Sequence, residues 1–322
     1  MLIVKKIILL SLCLIIISCK EKENALRIGM HPWPGYEYIY LAQERGFFEK
    51  RGIKVEVVEF DSAADSIRAF DRGDVDAFCG TSVELINAQI DSAFKAKAIH
   101  VIDFSNGADQ IIATNMISSM ADIRGKRIAF ESGTLDFITW FYALKSAGLS
   151  FSDVEIESIP QNELLNAFKE NRIDAAATYP PTSVRIVEEK WGHSIFDSRA
   201  IPGIIVDLLA VNTSLLDSRK ADLVLMVKAL NDAQHYAEQN PADAYALMAA
   251  RERIESESFK KSMLGIHMVG LDEQYGLLKE GAKIYEAMQA AQLTLKETGR
   301  TIPNGLIDRL YGTDVAQEVM TP

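Results

Sequence analysis

The chain has 322 residues, 48% of them hydrophobic and 25% charged, the balance of a water-soluble globular protein large enough for two medium domains or one bilobal unit. Its formal net charge is −11, two units more negative once Lys5 and Lys6 are set aside. With no dense basic patch, that acidity argues against a nucleic-acid partner.

Residues 1–18 carry the layout of a bacterial export signal. Lys5 and Lys6 give a basic start, Ile7 to Ile17 an apolar run, and Ser18 a small residue at the cut. The apolar run is about 11 residues, roughly 16 Å as a helix, too short for a ~30 Å hydrocarbon core. Ile16-Ile17-Ser18-Cys19 also resembles a lipobox, so cleavage is expected to leave Cys19 as a lipidated N-terminus. Cys13 would leave with the signal. Cys79, in Val75-Asp-Ala-Phe-Cys-Gly80, then remains as a core thiol with no partner for an internal disulfide.

Residues 19–25 read as a polar tether. From Leu26 strands and helices alternate, the pattern of an α/β protein with mainly parallel sheets. Leu26–Met30 is a strand, followed by a Pro/Gly loop and a helix from Tyr36 to Arg45 that Gly46 ends. Val55–Phe60, Val75–Phe78 and Ile99–Phe104 are further strands. Between them lie helices from Ala64 to Arg72 and, capped by Thr81 or Ser82, to about Gln89. A second unit begins near Gly107. Gln110–Ala113 reads as a crossing strand; Lys126–Phe130, Val154–Ile159 and Asp174–Ala177 as strands; and Phe137–Ser146 and Glu163–Glu170 as helices. Ile204–Val211 is a second crossing strand, after which the chain turns helical. Leu223, Met226, Val227 and Leu230, then Ile284, Ala287, Met288 and Ala291, recur at helical spacing as core stripes. The expected division is a first lobe of 26–107 and 208–322 with a second lobe, 108–207, inserted in it.

In open α/β sheets ligands sit at strand carboxyl ends, where helix N-termini also point. Gly80-Thr-Ser82 and Ser132-Gly-Thr134 place hydroxyl residues before helices, either as plain caps or as ligand-holding starts. Trp33 and Tyr36 either enclose a ligand or pack their own loop. Asp109, at the first crossing, either accepts from a ligand amine or ties the hinge. Tyr179, before Pro180-Pro181, sits on a rigid platform that would turn its ring toward the cleft. The candidate ligand set is therefore Trp33, Tyr36, Thr81, Ser82, Asp109, Ser132, Thr134 and Tyr179. Trp140 and Tyr142, inside a helix, read as core. The loops hold Glu37, Asp61, Asp109, Glu131 and Asp136 and almost no Lys or Arg. That balance favours an amine-bearing, zwitterionic or heteroaromatic ligand over a simple anion.

Several motifs carry a resemblance: Arg27-Ile-Gly-Met-x-x-Trp33-Pro-Gly-Tyr-Glu37, Gly46-Phe-Phe48, Gly73-Asp-Val-Asp-Ala77, Gly80-Thr-Ser-Val-Glu84, Asp103-x-Ser105-x-Gly107-Ala-Asp109 and Asp122-Ile-Arg-Gly-Lys126. In their order and spacing the chain resembles the nitrate/sulfonate/taurine group of ABC-transporter substrate-binding proteins, which includes binders of thiamine pyrimidine precursors. The resemblance implies a type II periplasmic-binding-protein fold, hinge closure on a small solute, and delivery to a membrane permease with its ATPase. It also implies an envelope location, here with a lipid anchor. His31, His100, His193, His235 and His267 show no metal-ligand spacing, and no Walker loop or G-x-S-x-G elbow occurs, so no metal, cofactor or catalysis is expected. The rival readings are a pyrimidine- or menaquinone-pathway enzyme on the same fold, against which the export signal argues, and a sensory solute receptor.

Overall fold

The computed structural model describes residues 24–279, 283–297 and 299–320. The expected export signal, Cys19 and most of the expected 19–25 tether lie outside the described residues. In chain order the strands are β1 (Leu26–Met30), β2 (Val55–Glu59), β3 (Ala77–Thr81), β4 (Ala96–Ser105), β5 (Gln110–Thr114), β6 (Arg127–Phe130), β7 (Glu155–Ser158), β8 (Ala175–Thr178), β9 (Gly192–Asp197), β10 (Val206–Asn212) and β11 (Ile266–Met268). They form two sheets, ordered β11-β4-β10-β3-β1-β2 and β7-β6-β8-β5-β9.

The helices that matter for the cleft are α1 (Glu37–Glu44), α2 (Ala63–Arg72), α3 (Ser82–Asp91), α4 (Asp136–Ser146), α5 (Thr182–Glu188), α6 (Lys220–Gln239) and α7 (Pro241–Glu252). α1 and α2 are crossover helices between parallel strands, since a parallel pair cannot be closed by a tight turn. Most strands of each sheet share one direction, as expected, and each sheet also carries a strand from the crossings that runs the other way. β1 pairs β2 and β3 in parallel, whereas β10 runs antiparallel between β3 and β4. The second sheet repeats this, with β6 parallel to β7 and β8 and β5 antiparallel to β8 and β9. A strand that enters a sheet from the other unit comes in through a crossing instead of a crossover helix, and so joins in the opposite sense.

Helices cover both faces of the first sheet. Leu26, Ile28 and Met30 pack on Leu41, Phe48, Leu223 and Met226, and Phe70, Phe78 and Val101 share the other core with Ile284 and Met288. The core stripes expected on α6 are buried. In the second unit Trp140 is fully buried and donates its indole N–H to the Ala129 carbonyl at 2.9 Å, a core role. No helix of the described residues is long and apolar enough to cross a membrane.

Several strands differ from expectation, among them the third, the ninth and, in a stretch expected to be helical, β11. The third begins at Ala77, because the Asp76 carboxylate accepts the main-chain N–H of Arg27 and the ladder starts one residue later. β9 is an edge strand in which only Ile195 and Phe196 are apolar among six residues, too few for a pattern to announce it.

The chain leaves the first sheet after Ser105 and re-enters it at Val206, and the two connections run side by side. The Ser105 and Ser198 hydroxyls lie 2.8 Å apart, and Ser198 donates its main-chain N–H to the Asp109 carbonyl at 2.9 Å.

Candidate functional site

The loop after β1 is closed by the Tyr36 N–H donating to the Trp33 carbonyl at 2.9 Å. That turn aims two aromatic side chains at the first sheet. Trp33 donates its indole N–H to Asp103 at 3.0 Å, and the Tyr36 hydroxyl donates to Asp207. Gly35 is required there: a Cβ at that position would stand 1.9 Å from Asp103 Oδ2. Asp103 on β4 and Asp207 on β10 face each other in register. Burial lifts the Asp103 carboxyl to about 7, helped by the Asp109 charge and opposed by the hydrogen bond from Trp33. Burial, then the charges of Asp103 and Asp109, push Asp207 well above the usual carboxylate range.

Tyr179, arriving from the end of β8, completes a circuit of four rings. His31 lies 5.2 Å from Tyr36, Tyr36 6.4 Å from Trp33, Trp33 5.7 Å from Tyr179, and Tyr179 6.0 Å from His31, centroid to centroid. Burial, then the Arg251 charge, holds His31 down to about 3, so it is neutral at ordinary pH. Arg251 is itself tied to Glu37 and, at 3.1 Å, to Glu59.

The opposite rim is built from helix starts. Thr81 caps α3 in a capping box, with its hydroxyl accepting from the Val83 N–H and Glu84 accepting from the Thr81 N–H at 2.8 Å. The other oxygen of Glu84 crosses the cleft and accepts from the main-chain N–H of Leu135, at the start of α4, at 2.9 Å. In return Glu131, after β6, accepts from the Ala64 N–H at the start of α2 at 3.3 Å. Thr134 donates to the Glu131 carbonyl at 2.8 Å, and Asp136 accepts from the Glu131 N–H at 3.1 Å and from Gln161 at 2.8 Å.

These groups enclose a cavity of about 20 Å³, lined by His31, Trp33, Tyr36, Ala63, Gly80, Thr81, Glu84, Asp109, Thr134, Leu135, Asp136, Tyr179 and Asp207. That space admits a water-sized guest, so the cleft is closed. Four lining residues are carboxylates and none is Lys or Arg. Asp109 Oδ2, Asp207 Oδ2 and, just behind, Asp103 Oδ1 are buried without a hydrogen-bond partner. Burial raises Asp109 to about 7 against the opposing bond from Ser105. An arrangement like this can accept hydrogen bonds and, where a carboxyl gives up its proton, stabilise a positive charge, and it offers an anion no cationic side chain.

Of the residues singled out from sequence, Trp33, Tyr36, Thr81, Asp109, Thr134 and Tyr179 meet at this cavity. Ser82 is buried in the first turn of α3 without lining it. Ser132 is exposed: Gly133, at φ +86°, turns the loop, and the start of α4 falls at Leu135 rather than at the hydroxyl residues. The main chain of Asp109 laces the crossings, accepting from the Ser198 N–H, while its carboxylate faces the cavity. Tyr142 is half-buried and off the cavity, and Cys79 is buried in mid-strand with its thiol pushed well up by burial. Sequence reading placed His31 in a loop expected at the cleft without singling it out, and missed Glu84 and Asp207 as lining residues. The available signal was a carboxylate set within an apolar strand, at Asp207 and at its neighbour Asp103.

Two α/β units joined by paired crossings around a closed, carboxylate-lined cleft define a two-lobed solute-binding fold of the type II periplasmic kind. The chain belongs to the NMT1-like family, whose model matches residues 19–251. It is 23% identical over 276 residues, 78% of this chain and 76% of the relative, to a Brachyspira hyodysenteriae protein provisionally named an ABC transporter periplasmic binding protein. Among solved structures it resembles the periplasmic nitrate-binding protein of Synechocystis PCC 6803, with a TM-score of 0.77 and 13% identity over 92% of this chain and 89% of that one. It also resembles the alkanesulfonate-binding protein of Xanthomonas axonopodis pv. citri bound to MOPS, with a TM-score of 0.71 and 16% identity over 92% and 97%.

Proposed function

We propose that this protein is the extracytoplasmic solute-binding component of an ABC importer, tethered to a bacterial membrane through lipid on Cys19. It captures a small amine-bearing, zwitterionic or heteroaromatic solute between its lobes and delivers it to a permease and its ATPase. The unit 108–207 moves against the rest about the paired crossings. A solute that touches both lobes only when they are closed shifts the population toward the closed form, which the permease reads by shape. Trp33, Tyr36 and Tyr179 enclose the solute, Thr81 and Thr134 orient it, and Asp109 meets its positive group.

The observation that carries this reading is a closed interlobe cavity lined by four carboxylates and no cationic side chain except a histidine kept neutral. Nitrate and alkanesulfonate are named for structural neighbours, but this cavity offers a simple anion no Lys or Arg to pair with. Mass spectrometry of small molecules released by denaturing the purified protein is the direct test. Recovery of an amine or aminoheterocycle that rebinds in calorimetry supports the proposal. Recovery of a simple oxyanion that rebinds would remove the amine, and no rebinding of any released compound would remove the transport role.

A further inference from the structure

The two helix starts that face each other across the cleft are already occupied by carboxylates of this chain, each from the opposite side. Glu84, in α3 beside the first sheet, accepts from the Leu135 N–H that begins α4 at 2.9 Å. Glu131, at the end of β6 in the second sheet, accepts from the Ala64 N–H in the first turn of α2 at 3.3 Å. Both side chains are buried, at 3% and 4% exposure. α2 and α4 run 10 and 11 residues, long enough for their first N–H groups and dipoles to favour an anion. Beside them Asn87 donates to the Gly133 carbonyl at 3.0 Å, a third polar link across the same gap.

We infer that Glu84 and Glu131 are positioning residues that hold the lobes together by serving as the anions of the opposing helix starts, in the places where a solute's acidic group would otherwise sit. Glu84 is anchored for this by its own capping box, since one oxygen fixes it to Thr81 and the other is left to reach across. Glu131 is placed by its strand end, with its main-chain N–H held by Asp136. Closure then needs no acidic group from the solute, and the remaining acceptors of the cavity, Asp109 and Asp207, are free to meet a positive one. The closure argument stands whatever the solute proves to be.

The test is made without solute. The protein is unfolded, dialysed, refolded, and its radius of gyration measured by small-angle X-ray scattering at pH 8, alone and with sodium formate. Solute-free wild type is expected to be more compact than either the Glu131 or the Glu84 variant, with solute still able to shift it further toward the closed form, and to ignore formate. Glu131→Ala should expand, and formate should return it to the size of solute-free wild type, because the small carboxylate restores both the missing acceptor and the original charge of the site. Formamide, neutral and of similar size, should not. Glu84→Gln, which retains an acceptor for its own cap, should expand in the same direction, and Glu131→Gln takes the place of the alanine variant if circular dichroism shows that variant unfolded. Variants as compact as wild type, or an expanded Glu131→Ala indifferent to formate, would each overturn the inference. None of these readings depends on which solute binds, so they fail separately from the transport role.

Discussion

Asp103 and Asp207 stand opposite one another on β4 and β10, both buried, and each is hydrogen-bonded by an aromatic residue of the same loop. Two carboxyl groups this close, out of water, do not both ionise readily. The floor of the cleft therefore keeps a proton that a bound cation would displace.

This has a consequence for stability. Asp103 is near 7 in the folded chain, against about 3.9 for an unfolded aspartate. Between those values the folded state holds a proton that the unfolded state has lost. The stabilisation is complete below about pH 4 and drains away as pH rises through 7, at up to ~1.4 kcal/mol per unit of pKa difference. Solute-free wild type should melt at lower temperature at pH 8 than at pH 5. Asp103→Asn, which keeps an acceptor for Trp33, should narrow that gap by raising the pH 8 value. Scanning calorimetry across the range decides it; an unchanged pH slope in the variant would remove Asp103 as the cause.

Gly35 offers a purely steric probe of the same floor. A Cβ there would lie 1.9 Å from Asp103 Oδ2 and 2.7 Å from Trp33 Nε1, so Gly35→Ala must pry the two apart. Overpacking of this kind costs about 1–3 kcal/mol. The melting temperature should fall and the near-ultraviolet circular dichroism of Trp33 should change. Wild-type values for both would mean that the loop relaxes away from the sheet.

The βαβ alternation was legible because buried strands such as Leu26–Met30 are short apolar runs and Gly46 and Gly73 mark helix ends; both glycines adopt positive φ, as such ends require. The aromatic and hydroxyl loop residues were legible for the same reason: strand ends can be counted. The acidic floor was not. Asp103 and Asp207 are about a hundred positions apart, and only the antiparallel pairing of β4 with β10 brings them together. Glu84 reads as an ordinary capping-box residue, since nothing local says that its second oxygen reaches Leu135. Ser132 misled for a similar reason, because the turn at Gly133 sets which way its hydroxyl points.

The anchor is tested outside the folded body. Acylation of Cys19 would supply the two or more chains that stable membrane attachment requires. Wild type should therefore fractionate with membranes and carry lipid mass on Cys19, and Cys19→Ala should appear in the soluble extract or remain unprocessed. Wild type wholly soluble, with an unmodified Cys19, would remove the anchor and leave the binding fold untouched.

The cleft is tested most sharply by pairing Trp33→Ala with Asp109→Asn and titrating each with the solute released from wild type. Trp33 forms part of the ring wall and is 3% exposed, so its loss removes apolar contact worth ~1–3 kcal/mol, roughly 5- to 150-fold in affinity. Asp109→Asn removes charge while keeping one acceptor, so it should weaken an amine strongly and a neutral ring little. The pH dependence separates these cases further. Asp109 sits near 7 in the solute-free protein, and a cation must displace its proton below that value. Affinity for an amine should rise by up to tenfold per unit from pH 5.5 toward 7 and then level, with protons released on binding. In Asp109→Asn that rise should flatten. Calorimetry in two buffers of different ionisation enthalpy reads the proton release directly. Unchanged affinity in both variants would move the solute away from this cavity, whereas loss in Trp33→Ala alone would keep the cavity and exclude the amine.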